Sequence, residues 1–247
     1  MFINDSKVIT DYIESECAYH PNLRSTTEYN IISRPTIDMA EDYLDQGWRR
    51  FGKMFFRPNC PSCSKCIPLR VNIANFKLSR SMRKALSKNK HIRVEVGPPS
   101  CSAEHVNLHN IYHEHQNKVK NWPSHHITET EYRILFCEPM TFAKEFRYFD
   151  SDNKLVGLGY VDTLPSAYSS LYFFYDPTWA PLSPGIFSIL TEIHHACKNK
   201  AKQYHLGYFV KDCSSMDYKL RFSPFDLLMG DDNIWDWPEA SWKNTEQ

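Results

Sequence analysis

No apolar run in this chain of 247 residues approaches the roughly 20 residues that span a bilayer, and the N-terminus lacks the basic, apolar, small-residue order of a secretory leader. The expectation is a soluble cytoplasmic protein with no membrane partner. Also missing are a Gly-x-Ser-x-Gly elbow, a P-loop and a dinucleotide fingerprint. These absences argue against a serine hydrolase, an ATPase, a kinase and a Rossmann oxidoreductase. Internal repeats and low-complexity tails are absent too. Eight cysteines are present, but structural disulfides need an oxidising compartment. Free thiols, metal ligands or reactive groups are therefore the better reading.

A further absence concerns acid. From Gln46 to Val94 there is no Asp or Glu, while Arg49, Arg50, Lys53, Arg57, Lys65, Arg70, Lys77, Arg80, Arg83, Lys84, Lys88, Lys90 and Arg93 supply thirteen positive charges. The whole chain carries 29 basic and 29 acidic residues, so the remainder holds 16 basic against all 29 acidic ones. An ordinary solvated surface mixes its signs. Segregation on this scale is the footprint expected of a polyanion site, set against the plainer reading of a basic face that pairs with the acidic remainder.

Pro35 and Thr36 before IDMAEDYLDQ, with Gly47 after it, predict a helix. WRRFGKMFFRP and IPLRVNIANF read as strands, and SRSMRKALSKNK as a short helix with Arg80, Arg83 and Lys84 on one face. Gly97-Pro98-Pro99 is the best linker candidate, which places a basic, cysteine-containing region at residues 1–97 and a second domain at 98–247. A helix from Ser102 to about Lys118 follows, then a capping box at Thr128 to Glu131. Three strands come next, turning at Ser151-Asp152-Asn153, then a helix from Ser183-Pro184 and the strand QYHLGYFV. Antiparallel strands followed by a strand, helix, strand unit predict an α+β or α/β fold with a mostly antiparallel sheet. N-acetyltransferase-like (GNAT) acyltransferases have this order of elements.

FRPNCPSCSKCIPLR places Cys60, Cys63 and Cys66 at two-residue intervals, a spacing that brings thiolates around one ion. Zinc wants four ligands and iron–sulfur clusters use the same residue type, so Cys17 or His20 is the candidate to close the set. Small reduced cysteines in a turn are the alternative. His105, His109 and His113 fall at four-residue spacing beside Leu108, Ile111 and Tyr112, and read as a solvated polar stripe more than as a metal site. Cys213, near Lys211, is a candidate nucleophile weighed against a buried, inert thiol. AYSSLYFFYD puts Ser170, Tyr172, Phe174 and Asp176 on one strand face and Leu171, Phe173 and Tyr175 on the other. One face must be core. The other offers hydroxyls, aromatic walls and a carboxylate, and the helix start at Ser183-Pro184-Gly185 offers free N–H groups.

GWRRFGKMFFRPNCPSCSKCIPLRVNIANFKLSRSMRK resembles the N-terminal signature of the aminoacyl-tRNA-protein transferases. LVGLGYVDTLPSAYSSLYFFYDP, LSPGIFSILTEI and YHLGYFVKDCSSMDYKLRFSPFDLL resemble that family's C-terminal signature. Chain length and the C-x2-C-x2-C form are most like the bacterial aspartate/glutamate leucyltransferases. The resemblance implies transfer of leucine from Leu-tRNA to proteins with N-terminal Asp or Glu, marking them for degradation. It implies an acyltransferase domain and no cofactor for the chemistry itself. An iron–sulfur cluster or zinc on Cys17, Cys60, Cys63 and Cys66 is implied by relatives. Asp176 or Asp162 is the candidate amine-orienting group or base, with Ser170 and Tyr172 bonding substrate. Lys211, Tyr218 and Lys219 are candidate contacts to ester or tRNA, and Arg50 and Arg70 to the acidic side chain of the acceptor. The remaining basic candidates, Arg49, Arg57, Arg80, Arg83 and Lys84, would meet tRNA. The rivals are arginine as the donated residue and a non-catalytic RNA-binding or metal-sensing module.

Overall fold

The computed structural model describes residues 7–123, 126–231 and 234–236. The chain opens with β1 (Val8–Glu16) and β2 (Arg24–Ile32), then α1 (Ile37–Asp45), β3 (Arg49–Phe51), β4 (Met54–Pro58) and β5 (Cys66–Asn72). It continues through α2 (Arg80–Lys88), β6 (Arg93–Gly97), α3 (Ala103–Lys120), α4 (Glu129–Phe136), β7 (Ala143–Phe149), β8 (Leu155–Thr163) and β9 (Ala167–Tyr175). The last part holds α5 (Pro184–Lys198), β10 (Gln203–Val210), β11 (Phe225–Leu227) and the small pair β12 (Met229–Asp231) and β13 (Ile234–Asp236). This is a mixed α/β fold with antiparallel-rich sheets. Among the described residues no helix is long and apolar enough to cross a membrane.

The chain groups into two units. The first joins residues 1–77, 164–169 and 200–247. One of its sheets runs β1-β2-β4-β3. In the other, β5 lies between β10 and β11, antiparallel to both. Apolar residues recur at alternate positions of β5, so Leu69 and Val71 point to one side and are fully buried, with Tyr204, Val210, Phe222 and Leu227. The parallel ladder between β9 and β10 covers Ala167–Ser169, which is the expected result of a helical crossover between parallel strands. Gly47 ends α1 as its position predicts. Its φ is +82°, and a Cβ there would meet Leu228 and Pro68 side-chain atoms at 2.7 and 2.8 Å.

The second unit joins residues 78–163 and 170–199. Its sheet runs from β9 through β8 and β7 to β6. Period-two alternation in β9 sends Phe174 against His109, Tyr132 and Phe136 of α3 and α4, and Phe173 against Tyr148 and Trp179. Trp179 in turn packs on Phe187 of α5. The sheet is thus covered by α3 and α4 on one face and by α5 on the other. Helix α2 packs on α5, and its C-terminal Asn89 locks the arrangement. The Asn89 amide donates to the Ala85 and Leu182 carbonyls at 2.8 Å each and accepts from Trp179 Nε1 at 2.7 Å.

Candidate active site

Strand β9 is covered on both faces, so its side chains ought to be buried throughout. Ala167, Tyr168 and Ser169 are, and so is Phe174, but the four residues Ser170 to Phe173 between them are only half-buried. This opening lies where the alternation places Ser170 and Tyr172 on the α3 side. The Tyr172 hydroxyl meets Nε2 of His113 at 2.9 Å. His113 stacks on His109 at 4.2 Å between centroids, while the Phe136 ring lies along Tyr172 at 5.9 Å. Burial pushes the His113 imidazole below its ordinary value, so it is neutral and able to accept a proton at neutral pH, and burial pushes the Tyr172 phenol up to about 12. The histidine stripe is therefore not a solvated one. His105 and His109 are buried, whereas Ile111, expected on the apolar side, is exposed.

His105 instead joins a buried polar network around Glu145, whose carboxylate has no solvent exposure. Glu145 Oε2 accepts from Tyr160 at 2.9 Å and from the Ser100 backbone at 3.2 Å, and Oε1 accepts from the Ser100 hydroxyl at 3.1 Å. Tyr132 closes the network on Tyr160. Buried charge of this kind is tolerated because every oxygen has donors. Nothing in the local pattern of AKEFRYF singles Glu145 out, since its hydrogen-bond partners Ser100, His105 and Tyr160 come from three other segments.

Asp176 sits at the end of β9 with both oxygens occupied. Oδ1 accepts from the Thr178 backbone and hydroxyl at 2.9 and 2.7 Å, and Oδ2 from Lys154 at 2.6 Å. Burial would raise its pKa, but the bonds from Lys154 and Thr178 outweigh it and hold the carboxyl below the usual range. A carboxylate held this way is a cap and an anchor, and a weak proton acceptor. Asp162, on β8 opposite Ala143, is buried. Helix α5 begins at Ser183, with φ of +62°, followed by Pro184, and a Cβ on Gly185 would meet nothing within 4 Å.

The basic candidates divide by exposure. Arg80, Arg83 and Lys84 lie exposed on α2, as their spacing predicts, and Lys211 is exposed as well. Arg49 and Arg50 are interior groups of the first unit. Arg49 donates to the Ser169 hydroxyl at 2.9 Å and Arg50 to the Gly52 carbonyl at 2.9 Å. Lys219 is likewise buried and donates to the Tyr208 carbonyl at 2.6 Å, while Tyr218 beside it is half-buried. Arg57 lies over the Trp48 ring and binds Glu28 at 2.8 Å. Arg70 binds Asp226 at 3.0 Å.

The thiols of Cys17, Cys60, Cys63 and Cys213 are close enough to Cys66 to disfavour its thiolate. Burial first, and those neighbours next, push it up to about 12. Cys60 is already engaged with the Thr26 backbone, accepting from its N–H at 3.4 Å. Cys213 pairs with the Ser215 hydroxyl at 3.2 Å. Metal ligation needs the thiolate form, and among the described residues no group of three or more His, Cys, Asp or Glu is placed to hold an ion.

Known proteins match this chain along nearly its full length. The profile for the N terminus of arginine-tRNA-protein transferase matches residues 15–84 and that for its C terminus residues 104–229. The aspartate/glutamate leucyltransferase of Campylobacter jejuni (strain RM1221) is 35% identical over 232 residues, covering 94% of this chain and 96% of that protein. Its namesake in Helicobacter hepaticus is 34% identical over 234 residues, covering 94% and 97%. Among solved structures, FemX is similar at a TM-score of 0.46 and 8% identity, covering 83% of this chain and 80% of that one. The two profiles and the near-complete overlap with these relatives make the chain a member of the arginine-tRNA-protein transferase family.

Proposed function

We propose that this protein transfers leucine from Leu-tRNA to proteins whose N-terminal residue is Asp or Glu, marking them for degradation. The observation that carries the reading is 35% identity over almost the whole of both chains to an aspartate/glutamate leucyltransferase. The energy for the peptide bond resides in the aminoacyl ester, so the free α-amine attacks the ester carbonyl directly. Neither ATP nor a covalent enzyme intermediate is needed, and no cofactor enters the step. The enzyme's tasks are to hold the ester, orient the amine and move one proton.

In this reading the half-open stretch Ser170–Phe173 of β9 receives the reacting groups. Ser170 and Tyr172 bond to substrate, and Asp176 fixes the strand end through Thr178 and Lys154. The C-terminal part of the chain has a GNAT-type acyltransferase architecture, which the strand β9, helix α5, strand β10 succession with its parallel pairing supports. The exposed basic residues of α2, with others of the acid-free tract, hold the acceptor stem through its phosphates. The test supplies purified protein with Leu-tRNA or Arg-tRNA and peptides beginning with Asp, Glu, Lys or Arg. Leucine should appear on the acidic peptides alone. The family profile's own description favours arginine as the second reading, and exclusive transfer from Arg-tRNA would establish that instead.

A further inference from the structure

We propose that Tyr172 and His113 form the proton relay of the transfer reaction, with Tyr172 touching the reacting atoms and His113 positioning it and storing its proton. The inference rests on the transferase reading above and adds a named pair to it. Three features of the second unit support it. Tyr172 belongs to the half-open part of β9, so the residue keeps partial solvent exposure. Its hydroxyl bonds to Nε2 of His113 at 2.9 Å, across from α3. His113 is itself fixed by stacking on His109 at 4.2 Å, and the wall behind Tyr172 is the Phe136 ring at 5.9 Å. A phenol alone is a poor proton acceptor, and one joined to a neutral imidazole is a good one.

The proton balance closes. The amine nitrogen forms its bond to the ester carbonyl carbon and gives a proton to the Tyr172 oxygen as the phenolic proton passes to His113 Nε2. When the bond from carbonyl carbon to the terminal ribose oxygen breaks, the imidazolium returns its proton through Tyr172 to that oxygen. Nothing is oxidised or reduced, and the pair ends in its starting state. The titratable groups facing His113 are His109 and Tyr112 on its own helix and Tyr172 on β9. From α4 comes the apolar Phe136, and Tyr160 of β8 lies one ring further, on Phe136 and Phe174. Burial alone lowers the imidazole's proton affinity, in keeping with these mostly neutral surroundings.

The experiment measures single-turnover transfer of leucine to an Asp-initiated peptide from pH 5.5 to 9 for the full chain. The variants are His113→Asn, Tyr172→Phe, the double variant, and the exposed His91→Asn as control. Each single variant should slow transfer about 10²-fold to 10⁴-fold, and the double variant no more than about threefold further, because the two act as one device. In the wild type both the acceptor amine and His113 must be deprotonated, so the logarithm of the rate should fall as pH falls, with a slope approaching two once pH lies below the lowered value of His113. In His113→Asn the slope should return to one, a change that a purely structural role would not cause. External imidazole should partly rescue His113→Gly. If His113→Asn transfers within about threefold of wild type with its slope unchanged, the relay is overturned. Should the variants fail to fold, nitrogen-15 NMR of the wild type decides. Addition of a non-reactive Leu-tRNA analogue should shift the His113 Nε2 resonance, and an unmoved resonance overturns the proposal. A wild type that transfers from no aminoacyl-tRNA defeats the transferase reading, and the relay with it.

Discussion

At the scale of single residues, Lys219 shows what burial does to a basic group. Burial pushes its ammonium down to about 7, the Arg49 charge pushes the same way, and Cys66 opposes weakly. An unfolded lysine titrates near 10.4. Between about pH 7 and 10 the unfolded chain therefore holds a proton that the native protein has released, and stability from this site rises with pH across that window. Below about pH 7 both states are protonated and the cost of burying the charge is constant. Lys219→Met keeps the stem and removes the titration. Urea denaturation at pH 6, 7, 8, 9 and 10 should show wild-type stability climbing relative to the variant by a few kcal/mol, and parallel curves would refute the assignment. The interior fate of Lys219, Arg49 and Arg50 was not legible in the sequence. Their partners include Ser169 and Tyr208, and the bond from Arg49 to Ser169 spans 120 positions, so no local pattern separates them from solvent-facing Arg80 or Arg83. The two faces of β9 were legible, because a period of two is a property of the backbone itself.

At the scale of elements, α2 is the part of the acid-free tract in which charge, exposure and local order agree. Its buried residues Met82 and Ala85 hold it to the second unit, Ser79 caps its first turn at 3.3 Å, and Asn89 fixes its end. Arg80 and Lys84 contribute to none of this packing, and Arg83 adds one exposed hydrogen bond, to the Leu78 carbonyl at 2.6 Å. Their joint replacement by glutamine should leave stability within about 0.5 kcal/mol of wild type. Removing one side chain that neutralises a phosphate should make the logarithmic salt dependence of tRNA affinity shallower by about 0.7 to 0.9, so the triple variant should differ by about 2 to 3. Filter binding of Leu-tRNA between about 50 and 200 mM salt measures this. An unchanged slope would remove α2 from the tRNA surface. Helix α2 was readable because its capping serine, its apolar pair and its charges all repeat on one helical period. Helix α3 was readable as a helix, and Leu108 and Tyr112 of its expected apolar face are buried, but the burial of His105 and His109 was not readable. The side carrying His105, His109, Tyr112 and Gln116 is buried, because histidine beside aromatic rings and an internal carboxylate packs well, and hydropathy alone does not register those partners.

At the scale of the whole molecule, the order of residues along the chain and their grouping in space differ. Strand β5 has β10 on one side and β11 on the other, and both come from beyond residue 200. Leu69 and Val71 of β5 are fully buried in company with Tyr204, Val210 and Leu227. Each fully buried aliphatic side chain contributes roughly 1.5 to 3 kcal/mol, and an unpaired strand adds the cost of orphaned N–H and C=O groups. Those terms are comparable to the whole stability of a domain, about 5 to 15 kcal/mol. Punctuation such as Gly97-Pro98-Pro99 marks places where a chain turns, but it carries no information about which distant strands will complete a sheet. Cutting the chain after Gly97 should therefore leave a fragment of residues 1–97 without cooperative thermal unfolding, since β5 then lacks both neighbours. Residues 98–247 alone should lose the β10 and β11 part while the rings around Phe174 retain near-ultraviolet dichroism. Coexpression of the two fragments should restore a soluble complex with one cooperative transition, because the β5 ladders can form between chains. A cooperative transition in the isolated 1–97 fragment would show that its own β1-β2-β4-β3 sheet and α1 suffice, and that β5 does not depend on the distal strands.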